Sequence, residues 1–271
     1  MKPIIFPYKI ASESAKVLAQ NLGTKRVRPD GNYKYFKNHL IINWGSSSKP
    51  NWAKNGVKVL NHWDVIKNTS NKLSCLNTLK DNGVRTVEFT SDIGVAEQWI
   101  KDDETVFCRT KLVGHSGAGI KVARKIDDLV ECNLYTKYLD GKNEYRIHIY
   151  NDGVKEPIIF DAAQKRRKEG FKEENIENPD ARLIRSYDNG YVFCREGLEI
   201  PEDVKNQAIK AIKASGLNFS GIDIRYKVKT KEAYVLETNT SVGMDEESTT
   251  LDRYSDLFKC VVYGIKIHSV A

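Results

Sequence analysis

The chain has 271 residues, 40% of them hydrophobic and 29% charged, and 43 Lys+Arg against 36 Asp+Glu leave it at +7. A mean hydropathy of −0.51, with no apolar run near the roughly 18 residues a span requires, excludes a protein built on transmembrane helices, and the apolar share argues against a disordered chain. At about 150 residues per domain the length predicts two domains or one large α/β domain; the basic balance favours anionic partners without naming one, since an excess of this size is common in soluble proteins.

The first ten residues carry one Lys ahead of a short apolar stretch broken by Pro3 and Pro7. They lack the apolar core and small-residue cleavage site of a signal peptide, so a cytoplasmic location is expected. Residues 1–68 read as a small α/β unit: a strand over Ile4 to Phe6, a helix capped by Ser12 and ending near Gly23, the strand HLIINWG at 39–45 and a short strand at 57–60. Asn71 and Lys72 open a helix with Leu73, Leu76 and Leu79 at helical spacing, stopped by Asn82-Gly83. TVEFTS, a helix near 94–100 and a strand at 105–112 follow. Residues 114–119 form a glycine-rich loop, and IKVAR after it alternates in the strand manner, so the loop joins two strands; that disfavours the strand-to-helix loops of Rossmann and Walker sites.

From Leu134 the chain is strand-rich (LYTKYL, EYRIHIY, PIIFDAAQ), with Asn151-Asp152-Gly153 a hairpin turn. Residues 166–188 are charged and aperiodic and read as a mobile loop. A helix at 201–215, the strands SGIDIRYKV and EAYVLETN, and a helix around 252–263 complete the chain. The five cysteines are odd in number, spread out and without a CxxC, and read as buried free thiols.

The last two strands carry the most chemistry. An antiparallel hairpin centred on Thr230 sets Asp223 opposite Glu237, with Asn239 two residues on and on the same face. Opposed like charges repel unless a cation stands between them, and two carboxylates with an amide oxygen suit Mg²⁺ shared with phosphates; two surface acids on an ordinary hairpin are the equal alternative. The run Gly114, His115, Ser116, Gly117, Ala118, Gly119 can lay backbone N–H groups against a phosphate or serve as a plain turn. Arg109 and Lys111 before it alternate onto one face of a strand, where they could neutralise phosphate oxygens or simply be solvated.

Taken in order, Asn71-Lys72, GHSGAGI, TKYLDGKNEYRIHI, AAQKRRKEG, GIDIRY and LETNTSVG resemble the ATP-grasp carboxylate–amine ligases, most of all the RimK/glutamate-ligase type and its bacteriophage-encoded relatives. The resemblance covers about residues 60–245. It implies an α/β (α+β) ATP-grasp fold: a small N-terminal α/β domain at 1–68, a subdomain with the glycine-rich loop at 69–136, and a C-terminal subdomain with the metal site at 137–271, the nucleotide lying between the last two.

It also implies roles. Asp223, Glu237 and Asn239 match the metal ligands, and Gly114, His115, Ser116, Gly117 and Gly119 the loop over the nucleotide phosphates. Lys137, Tyr138 and Leu139 match the hinge that meets adenine, Glu144 the acid that binds the ribose, and Arg146, Lys165 and Arg167 positions that touch phosphates or the acyl substrate. The family's phosphate lysine falls on Thr110, between Arg109 and Lys111, and either neighbour could take its part. The implied activity is amide formation through an acyl phosphate, converting ATP to ADP and phosphate, with Mg²⁺ or Mn²⁺ as metal and a carboxylate and an amine (amino acid, peptide or protein end) as partners. The alternatives are an ATP-dependent kinase on the same scaffold and a basic nucleic-acid-binding protein, the latter not favoured. No membrane partner is expected.

Overall fold

The computed structural model describes residues 1–114, 117–141, 143–172, 180 and 183–271. Their strands form three sheets. The first is parallel, β1 (Lys2–Pro7), β2 (His39–Trp44) and β3 (Val59–Leu60) side by side, with α1 (Glu13–Asn21) capped by Ser12, whose side chain accepts from the Ala15 N–H. Two helices follow, α2 (Trp63–Ser70) and α3 (Lys72–Asp81). The second sheet has the order β4-β7-β5-β6, from β4 (Phe89–Thr90), β5 (Val106–Arg109), β6 (Ile120–Ala123) and β7 (Tyr135–Lys137), with α4 (Ile93–Lys101) against it.

The third sheet is antiparallel, in the order β10-β9-β8-β11-β12: β8 (Asn143–Tyr150), β9 (Ile158–Arg167), β10 (Tyr191–Cys194), β11 (Phe219–Lys227) and β12 (Glu232–Asn239). Its two faces separate by strand alternation. Tyr145, Ile147, Ile149, Ile222, Ile224 and Val235 join one core beneath α5 (Glu202–Ser215), which ends on Gly216 at φ +70. The intervening residues of β8 and β11, Glu144, Arg146, His148, Asp223 and Arg225, turn to the opposite face.

Helix α6 (Thr249–Tyr263) joins the first and third sheets. Trp44 of β2 stacks on Phe219 of β11 at 5.7 Å and meets Tyr254 of α6 edge-on at 5.2 Å. Asn61, held at φ +58 just after β3, makes a buried latch: its Oδ1 accepts from the Asn218 and Phe219 N–H groups and its Nδ2 donates to the Phe219 carbonyl.

Several features differ from the sequence reading. Helix α2 and strand β10 have no counterpart in it, β5 ends at Arg109 rather than 112, and β4 is two residues long. Strand β9 extends through Arg167, so the basic run is sheet rather than loop at its start. All five cysteines are free, but only Cys75 and Cys108 are buried.

His148 is 2% exposed, with Nδ1 3.1 Å from the Tyr254 hydroxyl and Nε2 3.8 Å from Asp161, which is itself clamped by Arg195 at 2.9 and 2.6 Å. Burial pulls its pKa down to about 4. An unfolded His takes up a proton near pH 6.5, so between about 6.5 and 4 the unfolded chain binds the extra proton and stability falls as pH falls. The full displacement corresponds to about 3 kcal/mol at 1.36 kcal/mol per pH unit. His148→Gln should flatten the change in urea midpoint between pH 7 and 5; an unchanged slope would assign that window to other groups.

Candidate functional site

The register of the last hairpin decides the acidic set. Gly221 pairs with Asn239, Ile222 with Thr238 and Asp223 with Glu237, after which a bulge shifts the pairing so that Ile224 faces Val235. The bulge residue, Leu236, and Glu237 both line the cleft between the second and third sheets. Lys231 takes the left-handed turn conformation (φ +58) in a turn without glycine.

Asp223 is buried and held by both forks of Arg146, Nε at 2.6 Å and Nη2 at 2.7 Å, with Lys165 Nζ 4.0 Å away. Burial alone would raise its pKa, but Arg146 and then Lys165 outweigh it and hold the carboxyl below its ordinary value. Two paired carboxylates and the Asn239 amide two residues on are hard oxygen donors, which fits Mg²⁺ taken by one or two carboxylates together with substrate phosphates. Among the described residues no group of three or more His, Cys, Asp or Glu is placed to hold a metal ion.

Across the cleft, β5 ends at Arg109, whose side chain reaches into it and whose buried Nε has no hydrogen-bond partner. Lys111 is exposed beyond the strand end, packed beneath Gly119, and does not line the cleft. The expectation that both basic residues share one strand face is therefore corrected: the strand stops before Lys111, and Arg109 alone points inward. Gly117 and Gly119 take φ +74 and +80 between the antiparallel β5 and β6. A Cβ on Gly117 would come within 2.7 Å of Ile184 Cγ2, so the glycine lets residues 183–185 close over the loop. His115 and Ser116 lie outside the described residues.

At the far end Lys137, Tyr138 and Leu139 line the cleft beside Glu144. Glu144 is buried and surrounded by cations: Lys165 Nζ at 2.6 Å, the Arg225 guanidinium in direct contact, and Arg185 at 3.8 Å. Burial opposes its ionisation, yet Arg225 first and Lys165 second keep its pKa below the ordinary value. Arg225 also donates to the Leu139 carbonyl at 2.8 Å, and its Nε is buried without a partner. Its stem passes where a Cβ on Gly141 would lie 2.9 Å away. Sequence reading missed Arg225 and Arg185; for Arg225 the signal was present, since it sits two residues after Asp223 and shares its face by strand alternation.

Solved structures share this arrangement of sheets. The ATP-grasp ligase PsnB, solved with a phosphomimetic variant of its minimal precursor, Mg and ADP, superposes with a TM-score of 0.65 at 13% identity over 96% of this chain and 98% of that one. The fold is the ATP-grasp fold. D-alanyl-alanine synthetase A from Vibrio cholerae O1 biovar eltor aligns at 0.68 and 15% over 98% and 99%, and N5-carboxyaminoimidazole synthetase from Staphylococcus aureus, complexed with ADP, at 0.66 and 13% over 99% and 79%. No family model and no curated protein sequence matches the chain.

In ATP-grasp terms the cleft between the second and third sheets gathers Arg109, Gly117, Lys137, Tyr138, Leu139, Glu144, Lys165, Asp223 and Glu237. Arg146 stands behind Asp223 and also lies 4.4 Å from the Phe193 ring centroid. Asn239 ends β12, its Nδ2 donating to the Gly221 carbonyl. Gly114 accepts from Lys72 Nζ at 3.0 Å, which ties the glycine loop to the start of α3. Arg167 lies further along β9, against Tyr191 and Phe171, and is not brought to the cleft wall. No helix is long and apolar enough to cross a membrane among the described residues.

Proposed function

We propose that the protein is an ATP-dependent carboxylate–amine ligase. The observation that carries this reading is the opposed Asp223–Glu237 pair facing Arg109 across an ATP-grasp cleft whose far end holds Glu144 beside Lys137, Tyr138 and Leu139. The solved ligases of this fold with Mg and ADP support it. Adenine lies against the backbone of Lys137 to Leu139, and Glu144 accepts from the ribose hydroxyls. Arg109, Lys165 and the N–H groups of the glycine loop meet the phosphates, while Arg146 holds Asp223 from behind. Asp223, Glu237 and Asn239 would hold Mg²⁺, or Mn²⁺, which would neutralise phosphate charge and orient the γ-phosphate.

A substrate carboxylate oxygen attacks the γ-phosphorus, the bond from phosphorus to the β–γ bridging oxygen breaks, and ADP leaves. An amine nitrogen then attacks the acyl carbon, loses a proton and displaces phosphate, leaving an amide. Positioning and charge neutralisation do the work, which is why the cleft needs no nucleophilic side chain. The space now open to water in the cleft is about 120 Å³, below the roughly 300–1,000 Å³ of ligand pockets. Nucleotide binding therefore requires the segment around Ile184 and Arg185 to lift from Gly117 and Glu144.

An acyl phosphate is a mixed anhydride that hydroxylamine intercepts. ATP, Mg²⁺ and the correct carboxylate should yield ADP and a hydroxamate when hydroxylamine replaces the amine. AMP with pyrophosphate would mean adenylation and overturn the mechanism; ADP with a stable phosphorylated product would make the protein a kinase.

A further inference from the structure

The basic balance of the chain is confined to its first sheet. Residues 1–60 hold 11 Lys+Arg against two acids, Glu13 and Asp30, a net +9; residues 61–271 hold 32 against 34, a net −2. The whole +7 therefore resides in a unit that contributes nothing to the Asp223–Glu237 cleft. Nine of the eleven are lysines, and Lys2, Lys25, Lys34, Lys37 and Lys58 are all exposed. Within this unit the one ion pair formed is Lys16 with Glu13, on α1.

Five of the lysines gather at one end of the sheet. Because β1, β2 and β3 are parallel and in register, Lys2 lies beside His39, and Lys58 directly precedes β3, its carbonyl accepting from the Ile41 N–H at 2.9 Å. The run K-R-V-R-P-D-G-N-Y-K-Y-F-K leads into the same edge of β2 and interleaves bases with rings. Lys25 Nζ sits 5.1 Å from the Tyr33 centroid and Lys34 Nζ 6.0 Å from that of Phe36. Tyr33 Oη and His39 Nδ1 are 2.5 Å apart, Tyr35 accepts from the Lys58 N–H at 3.0 Å, and Phe36 packs edge-on against His39 at 5.1 Å with half its surface in solvent. The charges of Lys2 and Lys25 add to burial in lowering the His39 pKa, so both lie close to that ring.

The opposite end of the sheet, after Trp44, meets the cleft side of the molecule: a Cβ on Gly45 would come within 2.8 Å of Ser241, two residues past Asn239. The patch is thus about one strand length, ~20 Å, from that end.

We infer that Lys2, Lys25, Lys34, Lys37, Lys58 and the exposed ring of Phe36 form a docking surface for single-stranded nucleic acid. Ammonium groups meet phosphates as point charges, and with eleven basic residues against two acids this unit presents a polyanion with few competing carboxylates. An exposed ring set among ammonium groups offers a face for an unpaired base, the combination that single-strand binders use.

The test uses the whole chain without ATP, so that its outcome is independent of the ligase reading. Anisotropy of a labelled 20-nucleotide oligo(dT) or oligo(rU) should report binding that weakens with salt, with a log–log slope of about −3.5 for five phosphates neutralised. The triple variant Lys25→Glu/Lys34→Glu/Lys37→Glu should weaken it by tenfold or more on the same electrostatic grounds, while calorimetric ATP binding is unchanged. Phe36→Ala should weaken single-strand binding and leave duplex binding as it was. Undetectable binding at 50 mM salt, an unaffected triple variant, or displacement by poly-L-glutamate as effective as by unlabelled oligonucleotide would each overturn the inference, the last in favour of an acidic polypeptide partner.

Discussion

Glu237→Gln should lower turnover by about a thousandfold while leaving the fold intact. The substitution keeps the size of the side chain and removes one of the two opposed carboxylates, so the hairpin keeps its register and the site loses a unit of negative charge. A metal bridging phosphates stabilises developing charge by several kcal/mol, and each 1.4 kcal/mol is a factor of ten. The variant should also need more Mg²⁺ for half-maximal activity, a shift that a purely structural role would not produce. Turnover within tenfold of the parent, at an unchanged Mg²⁺ requirement, would remove Glu237 from the metal set.

Much of this site was legible because strand alternation is a strict rule. The pattern Gly-Ile-Asp-Ile-Arg sends Ile222 and Ile224 under α5 and Asp223 and Arg225 to the cleft, but the hairpin is not centred on Thr230 as expected: next to the turn Lys227 pairs with Glu232 and Ile224 with Val235, a register that by itself would set Asp223 opposite Leu236. The bulge at Leu236 was not readable, because the turn lacks a glycine to mark register; its one extra residue lies between the turn and the pair and brings Glu237 opposite Asp223. Arg109 and Lys111 could not be separated from sequence, since alternation assigns one face to both for as long as the strand continues; β5 ends at Arg109, and of the two only Arg109 lines the cleft. Arg185 was out of reach for a different reason. It follows an aperiodic stretch, and its bonds to the Gly141 carbonyl at 2.6 Å and toward Glu144 span some 40 residues of chain with no local signature. Helix α2 was missed because His62, an uncommon cap, supplies the side chain that accepts from the Asp64 N–H.

Arg225→Met should raise the KM for ATP about a hundredfold and collapse the preference for ATP over 2′-deoxy-ATP. Arg225 is the first of the cations that keep buried Glu144 ionised, and it ties that carboxylate to the hinge through the Leu139 carbonyl. Removing one partner of a buried ion pair typically costs 3–5 kcal/mol, because the remaining charge is left uncompensated. Here Lys165 still pairs with Glu144, so about 2–3 kcal/mol is the expected share, or one to two powers of ten in KM. With Arg225 gone Glu144 turns toward Lys165 and away from the ribose, and only a nucleotide that has the 2′ hydroxyl can register the difference. The KM for 2′-deoxy-ATP should therefore move much less. Gly141→Ala provides the same displacement without a change of charge, since the new Cβ would lie 2.9 Å from the Arg225 stem and push the guanidinium off Glu144; it should reproduce the loss of sugar preference in milder form. If both variants keep the full preference for ATP over its 2′-deoxy analogue, Arg225 has no part in holding Glu144 for the ribose, and its contacts serve only the packing of the hinge.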